Sequence, residues 1–265
     1  MIKRVLPCFT PVQYALGRII VTGLFFSPWI LRAFKQINRT QLFWLVIVGL
    51  TGYLGAYLFM GLSQTHVSSS VAGILASLNP MFTFVLGLIF FKQSFRWKNL
   101  YGILLGLFGC GLLLFTGKGH EGWRIEHYTF FMIISVFISA ITINIIQIHL
   151  KGLASIHIAA GSFGILILPA LIIFLTCTDT STPFHNPRLL HCLLALVCLG
   201  LVSTVLGSLM YYHLIARKGA LYTSTVTYII PLMAIVWGLL DGESIAWNAI
   251  AGFIFILGGI RLIRG

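Results

Sequence analysis

Acidic residues are the scarcest chemistry in this sequence. Its 265 residues hold five Asp and Glu against 17 Lys and Arg. The five acids, Glu121, Glu126, Asp179, Asp241 and Glu243, all fall between apolar runs rather than inside them. Paired carboxylates for general acid–base work are therefore excluded from the apolar segments. GxSxG, HExxH and P-loop patterns are also absent, so no catalytic constellation is expected. Cysteine is sparse. Cys8, Cys110, Cys177, Cys192 and Cys198 show no metal-ligand spacing and no CxxC pair, and they read as small core residues. No metal site and no cofactor is expected. Charge of either sign makes up 8% of the chain, where a soluble domain carries about 25%. A water-facing surface cannot be built from that composition.

What the chain has instead is apolar length. It is 58% hydrophobic, with a mean hydropathy of +1.00. A bilayer core about 30 Å thick needs about 20 mostly apolar residues per helix. Nine such spans are expected, at about 12–31, 42–62, 66–91, 99–116, 127–150, 154–176, 189–213, 219–240 and 245–263. Backbone polar groups in lipid must be satisfied within the span, so helices are the expected element. The fold class is an all-α, polytopic membrane bundle of about nine helices. The opening MIKRVLPCFTP lacks the apolar core of a cleavable signal peptide.

Loop charge orients the spans. With loop 32–41 in the cytoplasm, Arg32, Lys35, Arg39, Lys92, Arg96, Lys98, Lys151, Arg217, Lys218, Arg261 and Arg264 all lie inside. Lys3, Arg4, Lys118, Arg124 and Arg188 lie outside, as do all five acids, and Arg18 is left within a helix. This follows the positive-inside rule. The net charge of +12 is thus a matter of orientation, and no nucleic-acid partner is expected.

Two segments repeat. LNPMFTFVLGLIFFKQSFRWKNLYGILLGLFGCG aligns, with one gap, to IIPLMAIVWGLLDGESIAWNAIAGFIFILGG. Pro80 meets Pro231 and Gly87 meets Gly238. Ser94 meets Ser244, Trp97 meets Trp247, Gly102 meets Gly252 and Gly109 meets Gly259. The two hairpins are offset by five spans, an odd number, so they point opposite ways across the membrane. Inverted repeats of this kind are a signature of transporters that work by alternating access.

The arginine in PVQYALGRII, the proline in SSSVAGILASLNPMF and the tail PLMAIVWGLLDGESIAWNAIAGFIFILGG together resemble the EamA branch of the drug/metabolite transporter superfamily. The resemblance covers nearly the whole chain. It implies two inverted five-helix repeats and export of metabolites, amino acids or drug-like compounds. Glu243 stands where the family has a glutamate, and Gln93 replaces it in the first half. Residues 1–116 correspond to a first repeat of four helices that lacks the family's first helix. Residues 127–263 correspond to a second repeat of five. The opening residues look like the end of that first helix, and a further helix before Met1 is expected in the protein or its ancestor.

Pro80 and Pro231 interrupt apolar helices and act as candidate hinges, each freeing a carbonyl four residues back. Ser77, Asn79, Thr227 and Tyr228 adjoin these breaks and are the first candidates for a substrate cavity. Asn144 and Gln147 share a face of one span, and Tyr57 and Tyr211 lie in others. All of these could equally bond helix to helix. Arg18 is expected to face the interior, where it pairs with a non-carboxylate group or with an anionic substrate. The alternatives are snorkelling to the interface and bracing of helices. Gly102 and Gly106, and Gly49, Gly52 and Gly55, read as close-packing steps. The composite expectation is a secondary transporter in a bacterial inner membrane, with the lipid bilayer and a small-molecule substrate as its partners. A membrane enzyme acting on lipid-linked substrates is the alternative, and the scattered acids disfavour it.

Overall fold

The computed structural model describes residues 2–67, 69–114, 127–177, 188–230, 233 and 247–264. Every regular element among them is helical. A short α1 (Ile2–Val5) leads into α2 (Pro11–Gln36). Then come α3 (Arg39–Gln64), α4 (Ser69–Ala76), α5 (Asn79–Phe90) and α6 (Trp97–Leu114). The rest comprises α7 (His127–His149), α8 (Ser155–Cys177), α9 (Leu189–Lys218), α10 (Ala220–Ser224) and α11 (Trp247–Arg264). Five of these are long and apolar enough to cross a membrane. The chain is a polytopic helical membrane protein. Large apolar side chains such as Leu31, Phe90, Leu168 and Met210 are exposed, as the outer surface of a bundle in lipid requires.

Local sequence sets the helix starts. Thr10 and Gln13 form a reciprocal capping box before α2, and Asn38 and Gln41 form another before α3. The expected span 66–91 is two helices. Ser77 and Leu78 form a turn between α4 and α5, and Pro80 sits in the first turn of α5, where its missing N–H costs nothing. In the second half, α10 tightens into a 3-10 turn over Thr225–Tyr228 as it approaches Pro231. Pro231, Asp241 and Glu243 lie outside the described residues. Both α3 and α9 contain wide π segments, at Gly49–Gly55 and Leu199–Leu206, which nothing in the sequence pattern announced.

Three antiparallel pairs build the bundle. Helix α2 runs against α8, with Gly23 on Ile167 and Gly164 on Ile30, and Phe26 stacks on Phe163. Helix α3 runs against α7, from Trp44 on His149 through the Thr51–Thr142 hydroxyl pair to Phe59 on Phe131. The most extensive pair is α6 with α11. There Gly102 lies against the carbonyl of Gly259, and Gly109 against that of Gly252. Backbones this close leave no room for a Cβ.

One cysteine reading is corrected. Cys8 and Cys192 are not simply small core residues; they form a disulfide across 184 residues, with their Cα atoms 6.2 Å apart. Spacing along the chain carries no signal for a bridge that only tertiary folding brings together. Disulfides persist in oxidising compartments. The bridge lies at the end of the bundle that the loop charges are expected to place outward.

The glycine contacts predict a graded effect on stability. Gly259→Ala would put a Cβ 2.5 Å from the Gly102 carbonyl oxygen, whereas nothing lies within 4 Å of a Cβ at Gly111. Thermal unfolding in detergent should show Gly259→Ala destabilised by roughly 1–3 kcal/mol. Gly111→Ala should be neutral or slightly stabilising.

Candidate functional site

Arg18 is the one charged side chain that is buried among the described residues. It lies on the eighth residue of α2, roughly 10 Å along the helix from its start. Its side chain is 7% exposed. An uncompensated cation near the bilayer centre costs about 2.5–3.5 kcal/mol, so its neighbours decide whether this position is tenable. Nε donates to Thr204 Oγ1 at 2.7 Å, one terminal nitrogen to the Tyr14 hydroxyl at 2.9 Å, and the other to Ser203 Oγ at 3.3 Å. The Tyr57 ring covers the guanidinium at 3.9 Å. Hydrogen bonds from a charged donor contribute about 1.5–3 kcal/mol each, and the cation–π contact about 0.5–2. Together they outweigh the insertion cost.

These partners come from three helices. Tyr14 is one turn before Arg18 on α2. Tyr57 follows the π segment of α3, and Ser203 and Thr204 lie within that of α9. The Thr204 hydroxyl also donates to the Leu199 carbonyl five residues back, the spacing of a π turn. Tyr53, inside the α3 π segment, bonds Tyr212 of α9 through their hydroxyls. The cluster is closed at Tyr14 and Thr204, which are buried. It is open at Ser203, which is exposed, and at Tyr57, which is half-buried.

The other candidate residues separate into distinct places. Asn144 is fully buried, and its Nδ2 donates to the Thr83 and Ala140 carbonyls while its Oδ1 accepts from Gln93 Nε2 at 2.8 Å. Asn79 Oδ1 accepts from Thr83 Oγ1, next to that network. Gln147 Oε1 accepts the Ala220 N–H just after the turn at Gly219, whose φ is 87°. Gln147 also lines a cavity of about 260 Å³ with Lys151, Ile158, Tyr212 and Gly219. Ser77 donates to the Gly73 carbonyl, Thr227 to that of Ser224, and Tyr228 to that of Ile103. Tyr211 packs against the main core. Ser77, Thr227 and Tyr228 thus bond backbone, Asn79 bonds the Thr83 side chain, and of the candidates only Tyr57 joins Arg18.

Four participants escaped the sequence reading. Tyr14 carried a signal, since four residues before Arg18 is the same helix face. The Ser203–Thr204 pair stood out as adjacent hydroxyls in an apolar run. Nothing marked Gln93 as a partner of Asn144. Lys92, at φ 50°, turns the chain back two residues past the end of α5. This lets Gln93 cap the Gly87 carbonyl and lay its amide where a Cβ of residue 87 would sit, 2.8 Å away. A second cavity, of about 600 Å³, lies at the disulfide end and is lined by Arg4, Pro7, Arg188, His191, Cys192 and Cys198 among others.

Comparison with known proteins agrees with this architecture. Residues 1–115 and 128–265 match the EamA-like transporter family. An uncharacterized transporter of Archaeoglobus fulgidus is 23% identical over 259 residues, covering 96% of this chain and 88% of that protein. The uncharacterized transporter YetK of Bacillus subtilis is 22% identical, covering 98% and 79%. A protein of Streptantibioticus cattleyicolor named "Probable terminal-alkyne amino-acid exporter" is 21% identical, covering 83% and 72%. A solved crystal structure shares the fold, with a TM-score of 0.73 at 16% identity over 98% of this chain and 89% of that one.

The Gln93–Asn144 bond predicts why an amide, and not a glutamate, stands at position 93. Both Asn144 N–H groups are committed to carbonyls, so a carboxylate at 93 would face an acceptor. Gln93→Glu should lower stability in detergent by about 1–3 kcal/mol at neutral pH. A neutral acid can donate again, so the variant should approach wild type below about pH 4.3 and lose stability as pH rises above it. Thermal unfolding across pH reads both effects.

Proposed function

The chain belongs to the EamA-like transporter family, and on that premise we propose that it is a secondary transporter exporting small metabolites, amino acids among them, by alternating access. Residues 1–116 and 127–263 act as the two inverted repeats, and the membrane is a bacterial inner membrane. The family and the relatives are transporters, not enzymes.

The observation that carries this reading is the reciprocity of the α6–α11 contact. The aligned repeats pair Gly102 with Gly252 and Gly109 with Gly259. Exchanging the halves turns the contact of Gly102 with Gly259 into that of Gly252 with Gly109, and both contacts are present. A two-fold relation has this property: the same patch meets itself. The antiparallel course of α6 and α11 is what inverted halves need. The π segments support the same relation, since each lies in the third helix of its repeat as the family counts them. Two related halves can exchange conformations and so open a shared site to either side in turn. The relative named a terminal-alkyne amino-acid exporter supports amino acids as a substrate class.

Counterflow in vesicles tests the reading. Proteoliposomes preloaded with an unlabelled mixture of the twenty amino acids should transiently accumulate external labelled amino acid above its equilibrium level. Passive leakage, or equilibration without overshoot for all twenty, would contradict a carrier of this substrate class.

A further inference from the structure

We propose that Arg18 is the anchor for the carboxylate of the transported molecule, a proposal that rests on the transporter reading above. The guanidinium has five N–H donors. Three are taken by Thr204, Tyr14 and Ser203. The two left over, one on each terminal nitrogen, find no partner among the described residues. Two is the number a carboxylate takes in a bidentate pair. The described partners are all uncharged, and no acid lies within any of the expected spans. The cluster holds one positive charge, so a monoanion neutralises it, whereas a phosphate dianion would leave net negative charge in the bundle. A lipid phosphodiester is also a monoanion, but Arg18 lies roughly 10 Å inside the start of its helix, below the level of the headgroups.

The surroundings fit an anion that carries an apolar group. Ser203 and Tyr57 form the open side of the cluster. The Tyr57 ring, already over the guanidinium, offers an apolar face beside the charge. Among the described residues, the cavity at the disulfide end is lined by Arg4, Arg188, His191 and apolar side chains. Tyr14, Arg18 and Tyr57 belong to the first proposed half, and Ser203 and Thr204 to the second. A carboxylate bound here bridges the two halves whose relative movement transport requires. π segments recur at functional sites, and two of them flank this one.

Three probes test the assignment: phenylalanine, phenylacetate, which lacks the amine, and phenethylamine, which lacks the carboxylate. In proteoliposomes made from the full chain, counterflow of the two carboxylates should fall at least ten-fold in Arg18→Gln. Arg18→Lys should keep part of it, and any movement of phenethylamine should be unchanged. In detergent, phenylacetate should raise the unfolding midpoint of the wild type and leave that of Arg18→Gln unmoved. Equal carboxylate counterflow by Arg18→Gln would overturn the proposal. So would equal loss of all three probes in a variant that still unfolds cooperatively, because Arg18 would then be only a brace. A phenylacetate response that survives Arg18→Gln, or no response in the wild type, would overturn it too. Phenylacetate binding through Arg18 without counterflow would uphold the anchor and remove the transporter reading instead.

Discussion

A cation held inside an apolar bundle that has almost no acid to offer is the constraint around which this protein is arranged. Burial in lipid makes an unpaired guanidinium costly. The chain meets that cost with hydroxyls and one aromatic ring. Tyr14 stands a turn before Arg18, Tyr57 lies over it, and Ser203 and Thr204 receive its remaining side. Since these groups sit on α2, α3 and α9, a single side chain ties three helices at one depth. The wide turns of α3 and α9 lie at that depth as well, and the Tyr53–Tyr212 hydroxyl contact joins the two helices a second time.

Away from the charge, the bundle is held by close approach rather than by polar bonds. Lipid provides no hydrophobic force between helices, so packing and weak backbone contacts must do it. The α6–α11 pair meets through glycine on both sides. At one end the Cys8–Cys192 bridge fastens the N-terminal segment to α9 covalently. At the opposite end, the Gln93–Asn144–Thr83 network and the Gln147–Ala220 bond close the helix ends with amides instead of charges.

The five long spans were legible because a bilayer imposes one simple rule on length and hydropathy. The break ahead of Pro80 was legible for a local reason: proline cannot continue a helix whose N–H it lacks. Gly102 and Gly106 were legible as a packing step, and the alignment of Gly102 and Gly109 with Gly252 and Gly259 picked out the glycines that meet between α6 and α11. The site was only half visible. Arg18 and Tyr57 were named, but Asn79, Asn144 and Gln147 belong to other networks, and Ser77, Thr227 and Tyr228 spend their hydroxyls on backbone. Which hydroxyl a buried arginine finds depends on helix rotation. The π segments alter that rotation without a residue pattern to reveal them. The disulfide was invisible for a related reason, since 184 residues of chain lie between its cysteines.

The central claim is that Arg18 waits for a carboxylate. Solid-state NMR dipolar recoupling between the carboxyl carbon of ¹³C-phenylalanine and ¹⁵N-labelled guanidinium nitrogens, in membranes containing the protein, measures that contact without reference to transport. A carbon–nitrogen separation of ~4 Å or less, the reach of a bidentate pair, is expected in the wild type and should vanish in Arg18→Lys. Bound phenylalanine that shows no such coupling, or the same coupling in Arg18→Lys, would contradict the account.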